Sequence, residues 1–366
     1  MRHPPSLVRR IAVALLVTTL GFSVLCTAAQ AGFVPGPLMR LHAKLARLAR
    51  NTPGRVAFDI EDLTTGYTTG YQAGETMPAA STIKVPVMVE VFKQMEAGDF
   101  DFNTMMTLYA HDRDYGWGQL AYAPLGSRYS VRTLLGKMID ESDNTAANML
   151  IRLVGRNTIN ATMRELGFDH TVLRTAIRTQ SRSVRRMLQS SPADMTRLLA
   201  LMAQGKLIDP WASAEMISIL EGQQLNTLLP EPLPQGLVIA HKTGSLDHTL
   251  DDVGIVYAQG APYVVSVMTT DLPSLSQGRR FIRDLSLATY DDLEAFARWR
   301  QRAGIHLRFD RNVPPPGLSP DLAQWTDLAA TGSRSARAAR RWASPSAGTA
   351  ALLRARSART SGQSSR

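Results

Sequence analysis

The stretch Met77-Pro78-Ala79-Ala80-Ser81-Thr82-Ile83-Lys84-Val85-Pro86-Val87-Met88 decides how the chain is read. From here to Met95 the residues are apolar on nearly every side, which predicts a helix buried all round. Proline is tolerated only in the first turns of a helix, so Pro86 places the helix start near Ser81. Ser81 and Lys84 are three apart and share one face of that helix. A serine hydroxyl is a poor nucleophile at neutral pH and needs a base beside it. A lysine held in a dry cleft, or near other cations, loses proton affinity and can be that base. The first turn of a buried helix also offers free backbone N–H groups to a developing oxyanion. The apolar flanks argue against an exposed lysine, the ordinary fate of Ser-x-x-Lys on a surface helix.

Upstream, Leu38, Leu41, Leu45 and Leu48 recur at helical spacing over 36–50, and Thr52-Pro53-Gly54 ends that helix. Arg55 to Ile60 and Tyr67 to Tyr71, joined by Thr64-Thr65-Gly66, form a β-hairpin. Downstream, residues 100–235 are mostly helical. Ser130 with Thr133 opens one helix, and Asn144 to Leu153 forms another. Ser191-Pro192-Ala193-Asp194 starts a third, with a serine cap, proline at the first position and an acid in the first turn. The period then changes. Leu237 to Lys242, Val253 to Tyr257 and Tyr263 to Thr269 are strands, with Gln259-Gly260 turning between the last two. Residues 279–300 close as a helix with Ile282, Leu285, Leu293 and Phe296 inward. Strands at both ends share a sheet only if the helical middle is an insertion. The expectation is an α/β (α+β) fold: an antiparallel sheet flanked by the terminal helices, with an all-helical lobe beside it. The sheet lobe takes 36–75 and 236–303, the helical lobe 76–235, and a site is expected in the cleft between them.

Two further boxes lie at that boundary. Ser142-Asp143-Asn144 stands 61 residues beyond Ser81, and Lys242-Thr243-Gly244 stands 100 residues further, ending the run Val238-Ile239-Ala240-His241. Taken singly, the first reads as a helix cap and the second as a strand end. A lysine beside glycine on a strand also suits a strand that receives a ligand along its edge.

Ser-x-x-Lys, Ser-Asp-Asn and Lys-Thr-Gly in that order form the signature of class A β-lactamases and penicillin-binding proteins. The chain resembles that superfamily from about residue 38 to 303. The resemblance implies an active-site serine hydrolase acting through an acyl-enzyme on β-lactams. It makes Ser81 the nucleophile and Lys84 its base. Ser142 would relay a proton to the leaving nitrogen, with Lys242 nearby. Asn144 would hold Lys84 and the substrate amide, and Asp143 would be structural. Thr243, Gly244 and Ser245 would line the substrate-binding strand, with Thr243, Ser245 and Lys242 on the substrate carboxylate. The backbone N–H groups of Ser81 and Ser245 would form the oxyanion hole. No cofactor and no metal are implied, and the seven histidines show no paired ligand spacing. The expected partner is a small-molecule β-lactam or a peptidoglycan stem peptide, met by a monomer.

The match departs from the pattern in one place. Class A β-lactamases carry a glutamate after the Ser-Asp-Asn box that activates the deacylating water. Here, from His170 to Ala193, there is no Asp or Glu, but Arg174, Arg178, Arg182, Arg185 and Arg186. Three outcomes follow: a β-lactamase-related hydrolase with another deacylation route, a D-Ala-D-Ala carboxypeptidase or endopeptidase, or a binding protein that stays acylated.

The ends complete the organisation. Residues 1–31 have the form of an export signal: Arg9 and Arg10, an apolar run from Ile11 to Cys26, and Ala29-Gln30-Ala31 as a cleavage site. A lipoprotein site would use Cys26, but Leu25 before it is bulky. The run is short for a membrane span. The product is expected in the periplasm or medium. Cys26 is the only cysteine, so a mature chain has neither disulfides nor thiolate metal sites and depends on its core. The hydrolase domain is placed at 32–312. Residues 313–366 open on Pro314-Pro315-Pro316-Gly317 and are rich in Ala, Ser and Arg, the composition of a disordered tail. The net charge of +10 misleads. Residues 1–31 carry three arginines and residues 331–366 eight, with no acid in either stretch; together these exceed it, so residues 32–330 are close to neutral. Nucleic acid is therefore not expected as a partner. The tail suits at most weak contact with an anionic envelope polymer.

Overall fold

In a computed structural model, residues 36–181, 183–305 and 309 are described. The expected leader and the tail beyond 313 lie outside them. Helix α1 (Gly36–Asn51) leads into the hairpin of β1 (Arg55–Asp62) and β2 (Tyr67–Tyr71). A single 3₁₀ turn, Ala80–Ile83, runs into α2 (Lys84–Ala97). The helical lobe continues through α3 (Val131–Ile139), α4 (Asn144–Val154), α5 (Arg156–Glu165), α6 (Pro192–Ala203) and α7 (Pro210–Glu221). The chain returns to the sheet as β3 (Ile239–Leu246), β4 (Thr249–Val256) and β5 (Tyr263–Thr270), then ends on α8 (Leu275–Arg302).

The sheet has the order β2-β1-β5-β4-β3, and its strand pairs are antiparallel. The two ends of the chain meet where β1 pairs β5, Arg55 opposite Thr270 to Asp62 opposite Tyr263. One face of the sheet is covered by α1 and α8, with Phe58, Ile60, Val265 and Val267 packed on Leu41, Leu45, Phe281 and Leu285. The other face, with Ala57, Val253, Ile255 and Met268, packs on the helical lobe through Met195, Leu198 and Leu199 of α6. This division follows from the alternation of side chains along a strand. Helix α2 runs through the lobe's centre and buries Val85, Val87, Met88, Val89, Val91 and Phe92, as its unbroken apolar character requires.

The caps fall where the side chains allow them. Ser130 Oγ accepts from Thr133 N, Asp143 Oδ1 from Ala146 N, and Ser191 Oγ from Asp194 N. Three details differ from the sequence expectations. β3, the edge strand of the sheet, starts later than Leu237 and reaches Leu246. β4 starts at Thr249, four residues earlier than expected, because Asp247-His248 alone turns the hairpin, with His248 at φ 58°. That pair lacks the Asn-Gly or Asp-Gly signal of a tight turn. The helical lobe also contains a small ladder in which Leu188–Ser190 pairs with both Met77–Pro78 and Val172–Leu173. These two- and three-residue strands are too short to show a period.

Candidate active site

The 3₁₀ turn sets the geometry. Side chains at i and i+3 eclipse in such a turn, so Ser81 and Lys84 lie one above the other. Lys84 is fully buried. Its Nζ is 3.2 Å from Ser81 Oγ, 3.1 Å from Ser142 Oγ, 2.6 Å from the Ser142 carbonyl and 2.7 Å from Asn144 Oδ1. The first two boxes therefore converge on one amine. Ser142 reaches it from a left-handed backbone conformation, φ 59°, and Ala80, just before the nucleophile, has φ 42°. Non-glycine residues held at positive φ carry strain of about 1–3 kcal/mol and concentrate at functional sites.

Asp143 is structural, with both oxygens in use. Oδ1 caps α4 through Ala146 N, and Oδ2 accepts from Leu120 N at 2.8 Å. Asp143 thereby joins the first turn of α4 to the segment that precedes it in the site.

The third box arrives on the edge strand. A Cβ at Gly244 would stand 3.0 Å from Ala80 Cβ and 3.2 Å from Ser81 N, so glycine lets β3 close on the backbone of Ser81. Thr243 and Ser245 line the same cleft as Ser81, Ser142 and Asn144, a space of about 490 Å³. Lys242 is fully buried behind this lining, and its Nζ donates to the Thr243 carbonyl at 3.0 Å.

Both lysines have lost much of their proton affinity. Burial, then repulsion from Lys242, holds Lys84 well below the usual lysine range, and Asp143 and Asp114 pull it only partly back. Burial pushes Lys242 down to about 7, against the attraction of Asp252 and Asp140. Each of the two amines therefore holds its proton less tightly than a free lysine does. The cleft thus has an amine of weakened proton affinity against Ser81 and a second one behind β3.

Several cleft residues were not visible in the sequence. Asp114 is buried and accepts from Asn144 Nδ2 (2.8 Å), Thr179 Oγ1 (2.7 Å), Thr179 N (2.9 Å) and Gly116 N (3.0 Å). Burial alone would raise its pKa, but these hydrogen bonds outweigh it and hold the carboxyl below the usual range. Trp117 lies on the cleft wall, 54 % exposed, with Nε1 donating to the Glu141 carbonyl at 2.9 Å. Ile177 lines the cleft from the loop that lacks acids. Asn148 Oδ1 accepts from its backbone N–H at 2.7 Å, and Asn148 Nδ2 donates to its carbonyl at 3.1 Å. The Asp-Arg-Asp-Tyr-Gly-Trp-Gly run at 112–118 was the only available signal, since acids, glycines and aromatics together mark a functional loop.

The loop's arginines serve a purpose the composition did not suggest. Arg174 donates to the Arg186 carbonyl and Gln189 Oε1, and Arg178 to the His111 carbonyl. Arg185 reaches across to Thr270 and Asp271 on the sheet lobe. Arg174 braces the loop internally, while Arg178 and Arg185 tie it to its surroundings. The absence of a carboxylate stands, with Asp194 occupied by His170 N and Thr171 Oγ1.

Comparison with known proteins agrees with this geometry. A profile of the Beta-lactamase enzyme family matches residues 40–293. The chain is 26 % identical to a β-lactamase of Rhodobacter capsulatus over 282 residues, 74 % of this chain and 92 % of that protein. It is 27 % identical to a β-lactamase of Streptomyces fradiae over 272 residues, 70 % and 88 % of the two chains. Among solved structures, PBP-A superimposes with a TM-score of 0.66 at 28 % identity, over 70 % of this chain and 97 % of that one. A point mutant of PBP-A, solved as an acyl-enzyme complex with penicillin G, gives 0.67 at 28 % identity, over 72 % and 100 %. The β-lactamase of Sphaerobacter thermophilus gives 0.65 at 28 % identity, over 70 % and 97 %. With the first two boxes gathered on one buried amine and the third closed against Ser81, these matches show that the chain belongs to the β-lactamase enzyme family, as a serine hydrolase related to the class A β-lactamases and penicillin-binding proteins.

Proposed function

We propose that the protein opens β-lactam rings through an acyl-enzyme at Ser81, and that acylation outpaces deacylation. One observation carries the reading: a fully buried, proton-poor Lys84 in contact with the hydroxyls of both Ser81 and Ser142. Ser81 Oγ attacks the ring carbonyl while Lys84 takes its proton. The backbone N–H groups of Ser81 and Ser245 stabilise the oxyanion. As the C–N bond breaks, Ser142 passes its proton to the departing nitrogen and is reprotonated from Lys84. Lys242, Thr243 and Ser245 hold the substrate carboxylate, and Asn144 holds the substrate amide. The ester at Ser81 then awaits water. With no acid in 170–193, Lys84 is the base within reach of that ester, and it also remains engaged by Ser142 and Asn144.

The same centre suits a D-Ala-D-Ala stem peptide, and the missing loop carboxylate favours that as the second reading. The leader supports export to the periplasm or medium, where both substrates are met and where β-lactam hydrolysis would give antibiotic resistance. The test is incubation of the purified protein with a fluorescent penicillin and mass mapping of the adduct. A label on Ser81, lost in Ser81→Ala, is expected. A folded protein with no label on Ser81 would sink the proposal.

A further inference from the structure

We propose that Asp114 is a positioning residue that locks the Asn144 amide so that Lys84 keeps its lone pair for the proton of Ser81. The inference rests on the acyl-enzyme reading and goes beyond it to a residue outside the three boxes.

The argument is a hydrogen count. A neutral lysine amine has two N–H donors and one lone pair. Two of the four oxygens around Lys84 Nζ can only accept: the Ser142 carbonyl at 2.6 Å and Asn144 Oδ1 at 2.7 Å. These are also the nearest two, so they take both hydrogens. The lone pair is left for the hydroxyls of Ser81 and Ser142, which can donate. A base in this setting is correctly aimed only while Asn144 presents its oxygen. If the amide turned over, Nδ2–H would donate into the lone pair and quench the base before Ser81 could use it.

Asn144 itself has no preference between these two orientations. Its other side decides. Asn144 Nδ2 donates to Asp114 Oδ1 at 2.8 Å, and a turned amide would set its oxygen against a carboxylate that can only accept. Asp114 is fixed in turn by three more donors, the Thr179 hydroxyl, the Thr179 N–H and the Gly116 N–H. These donors also keep it ionised. Asp114 therefore supplies an exclusive acceptor, which an asparagine or a serine at the same place is not.

The charge of Asp114 has a second, separable effect. The charged groups acting on Lys84 are Lys242 from β3, Asp143 from the cap of α4, and Asp114. Burial and Lys242 lower the proton affinity of Lys84, while Asp143 and Asp114 raise it. Removing the negative charge at 114 lowers it further, so a better-deprotonated amine accompanies slower acylation. Damage to packing alone would not combine those two changes.

The experiment measures the acylation rate of the full chain by a fluorescent penicillin across pH, with the Ser81 adduct confirmed by mass. The proteins are wild type, Asp114→Asn, Asn144→Ala, the double variant and Thr179→Val. Asp114→Asn is expected to lower the plateau by about tenfold or more, part of the 10²–10⁴ that a general base supplies. It is also expected to move the midpoint of the rising limb to lower pH. On the Asn144→Ala background the same substitution is expected to cost no further plateau, because coupled residues are not additive. Thr179→Val removes one tether of Asp114 but leaves its charge and its bond to Asn144, so its midpoint is expected to stay at the wild-type value. If Asp114→Asn melts below the assay temperature, Asp114→Ser replaces it with the same expectations.

Four results would overturn the inference: an unchanged plateau, an unmoved midpoint, a full loss repeated without Asn144, or a Thr179→Val midpoint that moves as far as that of Asp114→Asn. Absence of any wild-type adduct would overturn the acyl-enzyme reading itself. A wild-type adduct with an indifferent Asp114→Asn overturns this inference alone.

Discussion

The two walls around Ser81 are built to different standards. On the wall formed by the Ser-Asp-Asn box, every polar side chain has a partner of the right kind. Lys84 sits among four oxygens, Asn144 is held on both sides, and Asp143 has both carboxylate oxygens engaged. On the loop wall, Ile177 is clamped through its backbone by Asn148, yet its side chain is apolar and packs into the core of the helical lobe at the edge of the cleft. The first wall is equipped to make an ester. The second, over 170–193, supplies no carboxylate to activate water. In a preorganised site each step is only as fast as the groups aimed at it, so the two halves of the reaction are expected to have very different rates.

The largest effect is expected on the first wall. Lys84→Met keeps most of the buried volume and removes the base. Acylation of Ser81 is expected to fall by about 10²–10⁴, read from the rate of adduct formation. Acylation at the wild-type rate would mean that another group takes the proton, and the contrast between the walls would lose its basis.

Ile177→Glu sharpens the contrast from the other side. It places a carboxylate on a backbone that Asn148 already fixes. Loss of the Ser81 adduct is expected to quicken by about a hundredfold, the low end for a positioned general base, with acylation little changed. An adduct that decays at its former rate would show that the loop wall's geometry, and not only its chemistry, is unsuited to water activation.

A smaller effect comes from pH. Lys242, pushed down to about 7 by burial, is charged below that value and neutral above it. An anionic penicillin binds the charged form, so affinity is expected to fall as pH rises through 7, approaching about tenfold per unit. Lys84 must be neutral to act, and burial together with the charge of Lys242 moves the loss of its proton well below the usual lysine range. The profile of acylation efficiency is therefore bell-shaped, with a rising limb from Lys84 and a falling limb from Lys242, both belonging to the coupled pair. Calorimetry in buffers of different ionisation enthalpy would read proton uptake on binding above pH 7. No uptake would mean that Lys242 is not the carboxylate's partner.

Most of the first wall was legible in the sequence. Ser-x-x-Lys, Ser-Asp-Asn and Lys-Thr-Gly are local patterns, and each lies on an element whose period or cap is visible: the apolar run after Ser81, the asparagine-led helix, the β-run before Lys242. The pairing of strands from both ends of the chain followed from the order of periods alone. The brace behind Asn144 and the loop wall were not legible. Asp114, Thr179 and Ile177 lie in segments without regular period, and their significance comes from contacts across 29 to 65 residues of chain. The arginines show the same limit. Counted, they make a cationic loop, while folded they become ties to His111, Gln189 and Asp271. Composition reported the charge but not its partners.

The central claim is that Ser81 is acylated faster than it is released. Rapid mixing with excess penicillin, quenching at intervals and weighing the intact protein tests it most directly. The account predicts that nearly all of the enzyme carries the Ser81 adduct in the steady state, and that the adduct declines only once penicillin is exhausted. Steady-state protein that is mostly free while penicillin is being consumed would contradict it.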